Sequence, residues 1–217
     1  MIISKLAQLC LQFLEQDAET NVTATDINTL QADDTFAEYL INMEHSIYMG
    51  LVRYATSRIL PLKEISFEKG TNRLRVVDNA GRRLFHAIKE VYAEDKDGNI
   101  SSNIPYYIIG DKVVLKSFNK DLTYNVIYHP TINELSTYTD ENSIWNIDLY
   151  ETLGVPDEMA INIKYLVYSD MKVEESPNMA NQCKNIFESY LEQMATNQVV
   201  NNQVEYTTFD WSDTYGN

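Results

Sequence analysis

The stretch LGVPDEMAINIKYLVYSDMK, residues 153–172, decides the fold prediction, because helical periodicity returns here after a long run of strand and turn. Pro156 suits the first position of a helix, and Asp157 and Glu158 complement the positive end of its dipole. Four apolar residues then recur at the spacing of one buried helix face: Ala160, Ile163, Leu166 and Val167. The stretch therefore predicts a packed helix that follows a strand-rich module.

A second helix is predicted directly after it, with Ser176 as N-cap and Pro177 at the first helical position. Its apolar stripe contains eight residues: Met179, Ala180, Cys183, Ile186, Phe187, Tyr190, Leu191 and Met194. Because only a short turn separates the two helices, residues 147–195 are predicted to form a C-terminal helical hairpin.

On the N-terminal side, residues 1–61 are predicted to contain a first helix, a polar loop and a second, longer helix that begins at Thr35. Thr35 and Glu38 have the spacing of a capping box. Pro61 is expected to end the long helix, since the residue before a proline is pushed out of the helical region. The stripe of this helix is Phe36, Leu40, Met43, Ile47, Leu51 and Tyr54.

Residues 62–130 alternate between apolar and polar side chains in short runs separated by turn residues, which is typical of strands. Residues 131–146 are mostly polar and are predicted to be a connection, so the β module is placed at 62–146. KGTN (69–72) predicts a hairpin, and Gly110 with Asp111 predicts another. DKDGN (95–99) also fits the start of a calcium loop. Gly98 stands fourth rather than sixth in it, so a plain turn is favoured. These roughly five or six strands predict an antiparallel β-sandwich or small barrel.

The predicted fold is therefore α+β: a bundle of N- and C-terminal helices flanks the β module, in one structural domain overall. Residues 196–217 carry no Lys or Arg and are rich in Asn, Gln and Thr, which predicts an extended acidic tail. Its aromatic residues are candidate partner contacts: Tyr206, Phe209, Trp211 and Tyr215.

Composition limits the function classes. The 217 residues carry a formal net charge of −15, which repels phosphates and argues against a protein that grips nucleic acid. A protein that lets nucleic acid slide past is compatible with that charge. The two cysteines match no metal or redox spacing, and no apolar run is long enough for a membrane span. We expect a soluble protein made without a secretion signal.

Motifs for chemistry are missing from the sequence. Three histidines have no metal spacing, and neither a phosphate-binding glycine loop nor a nucleophile elbow occurs. The acidic pair Glu174 and Glu175 keeps a carboxylate hydrolase as a minor alternative. We expect no enzyme, and no catalytic, metal or cofactor-binding residues.

Four arginines form the only dense basic patch in the sequence: Arg73, Arg75, Arg82 and Arg83. They fall on a predicted hairpin and the turn after it. The patch fits a contact with an acidic partner or with DNA. It also fits the solvated face of an edge hairpin that charges protect from aggregation.

The order of elements resembles the head-to-tail adaptor (connector) proteins of tailed bacteriophages, particularly the short-tailed type, across roughly residues 35–195. The residues that carry the resemblance are SRILPLKEISF (57–67), VPDEMAINIKYLVYSDM (155–171) and SPNMANQCKNIFESYLEQM (176–194). The resemblance implies a homo-oligomeric ring, usually a dodecamer, in the neck of the virion. Such a ring binds the portal protein above and a tail nozzle or tail tube below.

The resemblance also implies that genomic DNA passes through the ring without specific binding, and that the protein is made in the host cytoplasm without membrane contact. An acidic lumen would repel the DNA backbone. The alternative is a soluble, acidic cytoplasmic binding or scaffold module without catalytic activity, which could use its charge to mimic nucleic acid.

Overall fold

A computed structural model describes residues 1–14, 34–78, 80–138 and 144–209 of the chain, with side chains throughout except at residues 34–39, 137–138 and 198–209. Mixed helix and antiparallel sheet confirm the α+β class. The chain divides into two compact units. The helical unit comprises residues 1–59 and the chain from Tyr138 onward, and the β unit is Leu60–Thr137.

The predicted β module, 62–146, extends further than the β unit. Two short 3-10 helices, Leu135–Tyr138 and Ile144–Asn146, lie between the last strand and the next α-helix. Trp145 in the second of them is only 1% exposed, and that 3-10 helix packs against the first helix of the chain. Burial of this large side chain places the segment with the helices.

Within the described residues, the helical unit contains five α-helices: α1 Ile3–Leu14, α2 Asp34–Thr56, α3 Leu149–Leu153, α4 Asp157–Met171 and α5 Pro177–Phe209. Helix α4 packs against α1, α2 and α5, so the stretch 153–172 supplies the central helix. Its four predicted core residues are all buried. Pro156 is not in the first turn as predicted. It precedes the helix in an extended conformation (ψ 151°) and accepts a hydrogen bond from the Ala160 N–H.

Helix α2 ends at Thr56, so the prediction that Pro61 ends it is wrong. Arg58 adopts a left-handed conformation with φ 58°. The Arg58 N–H donates to Ala55 O (3.0 Å) and the Ile59 N–H donates to Tyr54 O (3.2 Å). This pair of hydrogen bonds is a Schellman ending, which usually places glycine where Arg58 stands.

Helix α5 differs from its prediction at two points. Met179 and Ile186 are 50% and 47% exposed, whereas Ala180, Cys183 and Phe187 supply the buried side. The helix continues to Phe209, so the prediction of an extended tail from residue 196 is wrong over 196–209. The physical reason is that no glycine or proline follows Pro177 before that point.

The described part of the β unit contains seven strands: β1 Lys63–Ser66, β2 Arg73–Arg75, β3 Phe85–Glu94, β4 Ile100–Ser101, β5 Tyr106–Ile109, β6 Lys112–Leu115 and β7 Thr123–Pro130. They form a four-stranded antiparallel sheet in the order β1-β7-β3-β4 and a three-stranded one in the order β2-β6-β5. Both sheets contribute to one buried cluster: Phe67, Leu74, Val76, Phe85, Val91, Ala93, Val113, Leu115, Tyr124, Val126 and Tyr128.

One predicted hairpin is confirmed and the other is wrong. Strands β5 and β6 pair around Gly110, which has φ 63°. Strands β1 and β2 do not pair across KGTN. Ile65 lies opposite Val126 on β7, and Leu74 lies opposite Val113 on β6. Alternating apolar residues determine which face of a strand is buried, but not which strand becomes its neighbour.

Two turns of the β unit, residues 78–82 and 95–99, share one hydrogen-bond pattern. The Asp95 carboxylate accepts from the backbone N–H groups of Asp97 and Asn99, at 2.8 and 2.9 Å, and Gly98 N–H donates to Asp95 O. Asp78 accepts equivalently from residues 80 and 82. The Asp95 side chain is thus used by an Asx-type turn, in agreement with the plain turn favoured by the sequence.

Candidate interaction face

Strand register brings basic and apolar side chains together on the outer face of the three-stranded sheet. Arg73 lies opposite Val114, which lies opposite Tyr107. Because Val113 and Leu115 point into the core, the alternate residues point outward. We call this surface the outer face and define it by Arg73, Arg75, Tyr107, Ile109, Lys112, Val114 and Lys116.

The apolar residues of the outer face are unusually exposed for strand residues. Tyr107 is 56% exposed and Ile109 is 63% exposed. The Lys116 Nζ lies 4.6 Å from the centroid of the Tyr107 ring, a cation–π contact that holds the lysine across β5. The outer face therefore combines an accessible apolar strip with a cation above it.

Positive charge concentrates here in a chain that is acidic overall. The outer face holds four cations, whereas the whole chain has 17 Lys and Arg against 32 Asp and Glu. One of the four, Arg75, donates from Nε to Asp111 Oδ2 at 2.7 Å. That hydrogen bond lowers the pKa of the Asp111 carboxyl. The outer face is thus suited to an acidic partner.

The four arginines that the sequence placed in one patch are divided between two environments. Arg73 and Arg75 lie on the outer face. Arg82 donates from Nε to Asp78 Oδ2 at 2.6 Å, and the Arg83 guanidinium lies 3.8 Å from the centroid of the Phe85 ring. The side chains of Arg82 and Arg83 are therefore both engaged in intramolecular contacts near Asp78.

Sequence reasoning missed the other half of the outer face. The run YYII (106–109) was predicted only as one arm of the hairpin around Gly110, and Lys112 and Lys116 were not singled out. Only the pairing of β6 with both β2 and β5 aligns these residues with Arg73 and Arg75. A signal was present in the alternation of Lys112, Val114 and Lys116, which marks one face of β6 as solvated.

The predicted tail contacts stay predictions. Tyr206 and Phe209 belong to α5, for which the structure describes only the backbone at these two residues. Trp211 and Tyr215 lie outside the described residues.

The helical unit contains two buried thiols and a groove. Burial raises the pKa of Cys10 to about 12 and also raises that of Cys183, so neither thiol is an activated nucleophile. A groove of about 640 Å³ lies along α2 and α4, and Arg53 on its wall forms an ion pair with Glu188. Among the described residues no group of three His, Cys, Asp or Glu side chains could hold a metal ion. This leaves the outer face as the best candidate site.

None of the described helices combines the length and apolarity that crossing a bilayer requires. Comparison with protein-family models and with curated proteins finds no match to this chain.

Proposed function

We propose that this chain is a structural virion protein that forms an oligomeric ring between the portal of a phage capsid and its tail. The observation that supports this best is the order of the parts. The β unit, Leu60–Thr137, is inserted into a helical unit built from both ends of the chain. That order is the one on which the resemblance to head-to-tail adaptors rests.

The helical unit is closely packed, as the wall of a ring would need to be. Gly50 lets α2 approach α4 so closely that a Cβ on it would lie 3.0 Å from Ile163 Cγ2. Across the same contact, the Tyr54 hydroxyl donates to Met159 O at 2.6 Å. Helix α5 has 33 residues, about 50 Å at the usual helical rise. Close packing of this kind holds long helices in one arrangement.

The β unit is inferred to be a sandwich of its two sheets. Leu74, Val113 and Leu115 come from the three-stranded sheet, and Val91 and Val126 come from the four-stranded one. Side chains from two sheets that share one core are typical of face-to-face packing. A sandwich leaves the outer face free for contact with a neighbouring subunit, the portal or the tail.

The net charge of the chain fits passage of DNA better than binding of DNA. A ring of chains that each carry −15 surrounds its channel with negative charge, which repels the phosphate backbone. Genomic DNA would then move through the ring without adhering to it. The few cations that the outer face collects serve contacts between proteins instead.

The test is assembly on a portal. We expect size-exclusion chromatography with light scattering to show several copies of the 25.0 kDa chain bound to each portal ring from the same genome. A portal from an unrelated capsid is the control. No complex with the cognate portal at any concentration would overturn the proposal and favour the acidic binding module.

A mobility-shift experiment adds an independent readout. We expect no retardation of double-stranded DNA by the chain even at low salt, where phosphate contacts are strongest. Tight binding of DNA would contradict the proposed passive channel.

A further inference from the structure

The four-stranded sheet also has a face that points away from the buried cluster, and this face is acidic. Val91 and Ala93 of β3 point into the cluster, so the residues that alternate with them point away from it. Glu90 lies opposite Ile127, which lies opposite Glu64. We call this surface the acidic face and define it by Glu64, Ser66, Glu90, Tyr92, Glu94, Thr123, Asn125 and Ile127.

Three carboxylates of the acidic face act on one hydroxyl group. The Tyr92 hydroxyl donates a hydrogen bond to the Glu64 carboxylate. That bond, burial and the charges of Glu94 and Glu90 raise the pKa of Tyr92 to about 12. All three glutamates are at least partly exposed, and Lys89 falls at the register shift that precedes Glu90, outside the acidic face. The face therefore presents concentrated negative charge to the solvent.

Strands β3 and β6 carry matching sequence patterns on the acidic face and the outer face. Strand β3 includes EVYAE (90–94), and KVVLK (112–116) begins with β6. Alternation turns the first, third and fifth residues of each run outward, so charges about 13 Å apart flank Tyr92 or Val114. Each run is symmetric about its middle residue, so lysines can lie over glutamates whether the strands run parallel or antiparallel. The two faces are complementary in charge and in spacing.

One β unit cannot bring these two faces together. Both sheets contribute to one buried cluster, and each of the two faces points away from it. Contact between them therefore needs a second copy of the chain. Two copies that met through the same face would place like charges opposite each other. A contact between different faces is head-to-tail, and it can continue from copy to copy until a ring closes.

We propose that the outer face of one copy binds the acidic face of a second copy, sheet on sheet. Lys112 and Lys116 form ion pairs with Glu90 and Glu94 of the partner subunit, and Val114 packs between these charge pairs. The inference deepens the proposed function, on which closure of the contact into a ring rests. The contact itself needs only two copies of this chain.

The contact between two isolated copies is expected to be weak. A face three strands wide and five residues long covers roughly 200–300 Å². That is well below the roughly 800 Å² that each partner usually contributes to a stable interface. Association should therefore require high protein concentration and low salt. Copies held side by side in a ring would make several such contacts at once, which strengthens them.

Carbodiimide crosslinking of the full chain tests the contact directly, because this reagent joins a lysine amine to a carboxylate that touches it. Equal amounts of unlabelled and isotope-labelled chains are mixed at high concentration and low salt. We expect mixed-label peptides that join Lys112 or Lys116 to Glu90 or Glu94. The absence of such peptides would overturn the proposal. This experiment uses the unmodified chain, so it decides even where a variant fails to fold.

Charge reversal provides the second test. Lys112→Glu with Lys116→Glu makes both faces acidic, and Glu90→Lys with Glu94→Lys makes both basic. In sedimentation experiments each double variant should associate several-fold more weakly than the unmodified chain, whereas an equal mixture of the two should regain association. A mixture that associates no better than either variant alone would show the proposal to be wrong.

A matched pair of variants controls for net charge. Lys69→Glu with Lys120→Glu, and Glu68→Lys with Asp121→Lys, make the same charge changes at exposed residues of the β unit outside both faces. We expect each of these to associate like the unmodified chain, with no gain on mixing. Loss of association in each control variant and recovery in their mixture would overturn the assignment to these two faces.

Portal binding of the unmodified chain separates this inference from the proposed ring. Mixed-label crosslinks without portal binding would support the contact and overturn the ring. Portal binding without these crosslinks would overturn the contact alone.

Discussion

The same residue type serves opposite purposes in the two units. In the helical unit, Gly50 lies where a Cβ would be 3.0 Å from Ile163 Cγ2. In the β unit, Gly81 and Gly98 have φ of 80° and 83°, and no described atom lies within 4 Å of a Cβ built on either. Gly50 is needed for space, whereas the turn glycines are needed for their backbone conformation.

This difference shows what specifies each unit. The helical unit depends on volume at helix contacts, so it should respond to changes in side-chain size. The β unit depends on turns that direct short strands to non-neighbouring partners, so it should respond to backbone conformation and to the carboxylates that organise its turns. Substitutions can test each half of this comparison.

The largest effects are expected from the core of each unit. Phe187 is fully buried in the helical unit, and Phe85 is 1% exposed in the β unit. We expect Phe187→Ala and Phe85→Ala each to lower the free energy of unfolding of its own unit by about 3–5 kcal/mol. Hydrogen exchange at amides of α5 and β3 measures both. A loss below about 1 kcal/mol would show that the site collapses around the cavity.

The space requirement at Gly50 comes next. Gly50→Ala should lower the free energy of unfolding by about 1–2 kcal/mol, because the overpacking exceeds the gain in helix propensity. In an Ile163→Ala background the same substitution should instead stabilise by up to about 1 kcal/mol. Urea denaturation of the unmodified protein, the two single variants and the double variant measures this double-mutant cycle. If Gly50→Ala is destabilising in both backgrounds, the steric explanation is wrong.

The turn glycines should show a smaller and different response. We expect Gly81→Ala and Gly98→Ala each to cost about 1 kcal/mol, since a Cβ is strained at positive φ even in open space. Gly98→Asn is the control and should cost less, because asparagine tolerates this conformation. Thermal or urea denaturation that finds Ala and Asn equivalent would point to a cause other than φ.

At Arg58 in the helical unit the opposite substitution, from a residue with a Cβ to glycine, can be made at a position with positive φ. Arg58 occupies the left-handed position of the Schellman ending of α2 without being glycine. Arg58→Gly should therefore raise the free energy of unfolding by about 0.5–1 kcal/mol. Arg58→Ala keeps the Cβ and should bring no such gain. Destabilisation by Arg58→Gly in urea would mean that the arginine side chain makes a contact of its own.

The smallest effect on stability is expected at acid pH, at the two aspartate turns of the β unit. Hydrogen bonds from Arg82 and from Asn99 lower the pKa of Asp78 and of Asp95 below 3.8. Carboxylates with lowered pKa values stabilise the fold above pH 3.8, and the stabilisation is lost as pH falls through the lowered values. We expect exchange at the 78–82 and 95–99 turns to accelerate below pH 4 relative to a reference peptide. Asp95→Asn should reduce this dependence at its own turn but not at the other.

Sequence patterns predicted well what is decided locally. The buried stripe of α4, the stripe of α2 from Leu40 to Tyr54, the start of α5 at Pro177 and the β5–β6 hairpin all follow from neighbouring residues. Phe36, the first residue of the predicted α2 stripe, lies outside the described side chains. The end of α2 could not be predicted from neighbouring residues. A Schellman ending is usually marked in the sequence by glycine, and here arginine stands at that position, Arg58.

Non-local pairing was the part that no local pattern could supply. Strand β1 pairs with β7, about sixty residues later, and β2 pairs with β6 rather than with β1. The outer face depends on that pairing. Two of its arginines were identified as a basic patch, while Tyr107 and Lys116 come beside them only through β6.

The 95–99 turn also bears on the chemical ageing of the chain. Asp97 precedes Gly98, and an aspartate before glycine readily forms a succinimide when the glycine nitrogen attacks the aspartate side chain. Here the Gly98 N–H donates to Asp95 O at 3.1 Å, and the Asp97 N–H is held by the Asp95 carboxylate. The nitrogen must leave that hydrogen bond before it can react. The turn that joins β3 to β4 therefore also protects the backbone against isoaspartate formation.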